Sequence, residues 1–235
     1  MKKLPVITFA ALCVLIFAGS CNVDNSSTTN PQFGAFLIAN VSPDAPPLTV
    51  YINNSLFGAG LNYGNYTPYY RATPGSYTFS FYDSSSSSSP KLTKTVEISP
   101  LVNYSFFVVD SFSKVKSSFV TDAYAIPGGD SVSVRFFNFS PNAGAVSLID
   151  SASNTTLFNN RSFNDQDGNS LYSTFNEVET GTSAVYHLQL KQSDGTVIAS
   201  RTDTLSGGHV YTFFAKGNVG GTGTQAVGIG RIQSF

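Results

Sequence analysis

Ala39-Asn40-Val41-Ser42-Pro43-Asp44-Ala45 returns later in the chain as Phe137-Asn138-Phe139-Ser140-Pro141-Asn142-Ala143. Each copy follows an apolar stretch, Phe36-Leu37-Ile38 in the first and Val132-Ser133-Val134-Arg135-Phe136 in the second. Each precedes another, Leu48-Thr49-Val50-Tyr51-Ile52 or Val146-Ser147-Leu148-Ile149. Farther on, Ile98-Ser99 and Asn103-Tyr104-Ser105-Phe106-Phe107 match Leu205-Ser206 and Val210-Tyr211-Thr212-Phe213-Phe214 in the same order. A period of about 100 residues exceeds the roughly 20–50 of solenoid units and suits a whole small domain. The chain therefore reads as one module duplicated, at residues 33–126 and 131–235, with Ile126-Pro127-Gly128-Gly129-Asp130 as the joint.

Within each copy, strand-like stretches recur at about the 8–12-residue spacing of sandwiches and small barrels. Tyr77-Thr78-Phe79-Ser80-Phe81 alternates large apolar with small polar residues, which sends one set to a core and the other to solvent. Pro74-Gly75, Ser84 to Pro90, Asp194-Gly195 and Gly207-Gly208 punctuate these stretches as turns. No helical stripe interrupts them. The expectation is an all-β chain with two tandem Ig-like antiparallel β-sandwich modules. In the Ser-Pro-Asp-Ala signature, proline presets the turn and the short Asp or Asn side chain accepts hydrogen bonds from nearby backbone. Asp44 becoming Asn142 fits a turn that needs an acceptor but no charge.

Ahead of both modules lies a three-part leader. Met1, Lys2 and Lys3 supply a positive start, Leu4 to Phe17 an apolar run, and Ala18-Gly19-Ser20 small residues before Cys21. That arrangement is a secretory signal, too short for a membrane span. Ala18-Gly19-Ser20-Cys21 resembles a lipobox, with Ala18 standing where leucine is usual. Cys13 leaves with residues 1–20, so Cys21 is the only cysteine of the mature chain. In an oxidising compartment cysteines come in pairs, whereas a single one directly after a leader is what acylation requires. Cys21 is thus the lipidation site, and residues 21–32, rich in Asn, Ser and Thr, form a flexible tether. Asn22 is not the aspartate of inner-membrane retention, which favours the outer membrane; either face of that membrane fits.

Charged residues make up 11% of the chain and the net charge is −1, against about 25% charged in ordinary soluble domains. No basic footprint for nucleic acid is present. Phe 20 and Tyr 12, with no Trp, supply the large side chains that suit strands.

Ala39-Asn40-Val41-Ser42-Pro43-Asp44-Ala45-Pro46 and Leu48-Thr49-Val50-Tyr51-Ile52-Asn53 resemble the opening of the domain of unknown function 4397. Thr73-Pro74-Gly75-Ser76-Tyr77 is similar to a later Pro-Ala-Gly-Thr-Tyr-like element of that family. The likeness covers residues 35 to about 122. The second copy departs from it at Asn142, Gly144 and Ala145, so its membership rests on the repeat. The resemblance implies repeated β-sandwich modules in exported or surface-anchored proteins. It implies no established activity and carries over no catalytic residue.

Chemistry-bearing residues are few. His187 and His209 are the two histidines; a structural zinc site commonly gathers four ligands, and neither histidine lies in a nucleophile motif. Asp165, Asp167 and Asn169 alternate like the first ligands of an EF-hand loop. Glycine sits at that loop's fourth place instead of its sixth, so a weak calcium site competes with a plain surface turn. Tyr63, Tyr66, Tyr69 and Tyr70 form a ring-rich stretch suited to sugars or protein partners, or to finishing the sandwich core. The sequence thus describes a lipid-anchored envelope protein, non-catalytic and without a required cofactor. Its modules bind a partner, a glycan or an envelope protein, or act as a spacer. The alternative is a carbohydrate-binding accessory lipoprotein using the tyrosine stretch, and a hydrolase comes last.

Overall fold

The computed structural model describes residues 32–85 and 89–234. The leader, Cys21 and nearly all of the tether lie outside the described residues, and no helix within them is long and apolar enough to cross a membrane.

The first module contributes β1 (Gly34–Asn40), β2 (Leu48–Ile52), β3 (Ser55–Leu61), β4 (Tyr70–Ala72), β5 (Gly75–Asp83), β6 (Leu92–Ile98), β7 (Asn103–Val109) and β8 (Lys116–Thr121). The second contributes β9 (Ser131–Asn138), β10 (Val146–Asp150), β11 (Thr155–Arg161), β12 (Asn176–Glu179), β13 (Ser183–Gln192), β14 (Val197–Ser206), β15 (Val210–Lys216) and β16 (Gly228–Gln233). The sheet orders β4-β1-β7-β8 and β3-β2-β5-β6 recur as β12-β9-β15-β16 and β11-β10-β13-β14. The chain is all-β with sandwich-like pairs of sheets, as the alternating stretches predict. One feature departs from a purely antiparallel reading: β1 runs parallel to β7, and β9 parallel to β15.

Strand register fixes which residues of the two modules are equivalent. Ile38 faces Phe106 as Phe136 faces Phe213, and Val50 faces Phe81 as Leu148 faces Leu190. The first core gathers Phe36, Ile38, Leu48, Val50, Phe79, Phe81 and Phe106; the second gathers Val134, Phe136, Val146, Leu148, Leu188, Leu190 and Phe213. The turn after β2 is two residues, Asn53 and Asn54, both at positive φ, as tight hairpins demand and asparagine tolerates.

The signature turns do structural work. Asn40 and Asn138 are fully buried, and each accepts the backbone N–H of the serine two residues on. Asp44 accepts the N–H of Phe112 at 2.7 Å, and Asn142 accepts that of Val219 at 2.8 Å. Both thereby tie the turn to the loop that follows the parallel strand.

The modules are not independent beads. Leu37, Ala39, Val41, Phe107, Val109 and Val120 of the first pack with Phe137, Phe139, Phe214 and Ile232 of the second in a third apolar layer. Phe107 touches Phe137, Phe139 and its own counterpart Phe214, so equivalent residues meet as in an isologous dimer interface. β1 and β9 are therefore buried on both faces: β1 is apolar on the successive positions Phe36 to Ala39, and β9 on Phe136 and Phe137, while β9 also buries Ser131, Ser133 and Arg135.

Candidate functional site

The tyrosine stretch is split between two roles. Tyr69 donates to Asp122 at 2.6 Å and lies 3.4 Å from the Ser234 hydroxyl, across the seam between modules. Burial, then the charge and hydrogen bond of Asp122, hold its phenol well above the usual tyrosine range. Tyr63 also faces the seam: Lys216 stands 5.0 Å over its ring, and burial pushes its pKa up to about 12. Lys216 is pushed down by burial and by the charge of Arg201. Tyr70 meets Phe57 edge to face at 4.7 Å and covers the sandwich margin, at 41% exposure. Tyr66 is 44% exposed and bridges to Ala39. Tyr63 and Tyr69 thus serve the seam and Tyr70 the sandwich margin, while Tyr66 stays partly exposed.

In the acidic loop, Arg161 holds both oxygens of Asp165, at 2.9 and 2.6 Å, and the Ser162 N–H adds a third bond. Asn169 caps the short 3-10 turn at Ser170–Ser173 through the Leu171 N–H. Asp167 meets Asn164 at 3.5 Å. These side chains close the loop on itself. His187 lies beside the Thr202 hydroxyl at 3.2 Å, and His209 against the carbonyls of Ser206 and Gly207.

A different surface brings chemistry together. Along β2, Leu48 and Val50 point into the core, so Thr49 and Tyr51 point out; along β5, Phe79 and Phe81 point in and Tyr82 points out. Cross-strand register sets Thr49 opposite Tyr82, and the Tyr51 and Tyr82 rings meet edge to face at 5.2 Å and 66°. They frame a cleft of about 370 Å³ lined also by Thr49, Asn54, Asp83 and Ser84, within the roughly 300–1,000 Å³ of small-ligand sites. Leu56, paired with Tyr51 across the hairpin, extends the apolar surface at 62% exposure. Asp83 accepts the N–H and hydroxyl of Ser85 at 2.8 and 2.7 Å, and these bonds hold its carboxyl below the usual range.

Reading the strands one by one passes over this pair, because each tyrosine looks like an ordinary strand residue. The repeat carries the signal. The equivalents of Tyr51, Tyr82 and Asp83 are Ile149, Lys191 and Gln192, so the fold itself does not ask for the aromatic pair.

Residues 35–149 match the family described as domain of unknown function (DUF4397). The match runs through the first module and ends within β10 of the second. No curated protein matches the chain. Among solved structures, the chain is similar to one described as alpha-glucan binding by a streptococcal virulence factor, at 14% identity, 77% of this chain, 92% of that chain and TM-score 0.24. Another is a product complex of SpuA, a multi-modular glycogen-degrading pneumococcal virulence factor, at 15% identity, 79% of this chain, 21% of that chain and TM-score 0.24. At those scores neither lends its ligand to this one.

Proposed function

We propose that this chain, whose residues 35–149 belong to the DUF4397 family, is a lipid-anchored envelope protein acting as a rigid, non-catalytic binding element. The observation that carries the reading is the outward Tyr51–Tyr82 pair that frames the cleft, two residues whose places are taken by Ile149 and Lys191 on the other module. A pure spacer has no use for that difference between duplicated faces. Solvent-facing rings with polar tips are favoured at recognition surfaces, and loops and open sheet faces on a rigid scaffold are where such surfaces arise.

Anchoring is proposed from the leader and Cys21, with the outer membrane as its home. Two or more acyl chains make membrane attachment stable, each buried methylene contributing about 0.8 kcal/mol. The apolar seam supports the rest of the reading, since it makes the pair of modules one body that holds the cleft in a fixed orientation.

The test is made on cells expressing the full chain with a photo-crosslinking residue at position 54. Acylation at Cys21, read by mass spectrometry, and crosslinks from position 54 to envelope material support the reading. A Cys21→Ala chain that still partitions with membranes removes the anchor. Absence of any crosslink removes the binding role.

A further inference from the structure

We propose that the cleft between Tyr51 and Tyr82 takes a neutral sugar chain; this names the ligand class for the binding surface proposed above and rests on that reading. A sugar ring offers two kinds of surface at once, C–H faces that pack on aromatic rings and hydroxyls that both donate and accept. The cleft offers the matching set. Tyr51 and Tyr82, meeting at 66°, present surfaces of different orientation, and Leu56 lengthens the apolar strip along the strand direction. Around them stand the hydroxyls of Thr49 and Ser84, the amide of Asn54 and the carboxylate of Asp83, together able to donate and to accept.

The polar groups also set the charge preference. Among the described residues no hydrogen bond engages Oδ2 of Asp83, while Oδ1 is fixed by Ser85. With Oδ1 fixed by Ser85, the carboxylate is placed to accept from the hydroxyls of a ligand. The positive charge of Lys91 acts on the same carboxylate and partly offsets it, so the cleft has no strong preference for either sign of ligand charge. An apolar partner would leave Asn54 and Asp83 covered and unpaired, which costs binding energy. A neutral polyhydroxyl ligand satisfies all of these conditions.

The duplication supplies a variant that the fold tolerates. Tyr51→Ile, Tyr82→Lys and Asp83→Gln together place on the first module the residues that the second carries at the same register positions. The full chain, purified in detergent, is passed over immobilised neutral hexose oligosaccharides of different linkage, a uronic-acid chain and a lysine-rich peptide. The expected result is retention by at least one neutral oligosaccharide, weakened about tenfold or more in the triple variant, as loss of aromatic anchors commonly does, at unchanged melting temperature. Tyr66→Ala with Tyr70→Ala leaves retention unchanged, which separates the cleft from the sequence stretch 63–70. Retention by the charged probes alone overturns the proposal, as does equal retention of the triple variant. If no sugar is retained while position-54 crosslinks in cells disappear in the triple variant, the sugar assignment falls and the binding reading stands. If the crosslinks are absent as well, both fall.

Discussion

Arg135 and Asp122, contributed by different modules, form an ion pair from which solvent is fully excluded. Arg135 is among the largest wholly buried side chains of the protein. Its guanidinium also reaches the Thr212 hydroxyl at 2.9 Å and the Thr121 carbonyl at 3.3 Å, and lies over the rings of Phe137 and Phe175. Asp122 is completed by the hydroxyls of Ser105 and Tyr69. At the equivalent positions on the other side of the seam stand Leu37 and Ser234, with no charge at all. One charged side and one neutral side distinguish the intended docking of two similar sheets from a flipped one.

Removing one partner therefore strands a buried charge. Asp122→Ala should lower unfolding free energy in urea by about 3–5 kcal/mol, whereas replacing both partners with uncharged residues is often near neutral. The double variant Arg135→Leu, Asp122→Ser copies the other side of the seam and should regain most of the loss. Equal loss in the single and double variants would show that the pair stabilises by more than mutual neutralisation.

How much of this is legible in the sequence depends on periodicity. The duplicated module and its strands follow from the repeat and from alternations such as Tyr77 to Phe81, because side-chain period and turn chemistry are local properties. The family resemblance pointed to the same module. The seam has its sign in Phe36-Leu37-Ile38-Ala39 and Phe136-Phe137, since a strand apolar on successive positions is buried on both faces, but its partner surface is set by long-range packing. The tyrosine stretch stands out in the sequence by its density, yet Tyr63 and Tyr69 turn toward the second module, a direction set by packing across about 150 residues of chain that no local pattern encodes. The more informative rings were Tyr51 and Tyr82, isolated in sequence and joined only by strand register.

The seam tyrosines predict sensitivity to alkali. Tyr63 is pushed up to about 12 from 10.0, and Tyr69 is raised as well. The unfolded chain loses these protons first, so the stability they confer is complete below pH 10 and declines as pH rises toward 12. Melting temperatures measured across that interval should fall. The fall should be shallower in Tyr63→Phe, which removes the ionising group and keeps the ring beneath Lys216. An identical slope in the variant would place the alkaline loss elsewhere.

The loop containing Asp165, Asp167 and Asn169 gives its strongest ligand to Arg161. A calcium ion would have to displace a two-point guanidinium contact before gaining its own. Millimolar calcium should accordingly leave the melting temperature unchanged, since a ligand stabilises only in proportion to its occupancy of the folded state. Arg161→Ala should cost about 2 kcal/mol or more, because the guanidinium also binds the buried carbonyl of Phe136 at 2.7 Å and the Tyr172 carbonyl at 2.9 Å. A calcium-dependent rise in melting temperature of the unaltered chain would reverse this reading of the loop.

Asp44 offers the sharpest test of whether the signature turn is architectural. Its Oδ1 receives the Phe112 N–H at 2.7 Å, and Asn142 performs the same service for Val219 while also donating to the Val219 carbonyl at 3.0 Å. An acceptor is needed at both places and a charge at neither. Asp44→Asn should therefore change stability by less than about 0.5 kcal/mol, and Asp44→Ala should cost about 0.5–1.5 kcal/mol. Asn142→Ala should cost at least as much, having two bonds to lose. Denaturant titration of the four proteins ranks these values directly. Should Asp44→Asn prove as damaging as Asp44→Ala, the negative charge itself would matter, and the turn of the first module would have a task that its counterpart lacks.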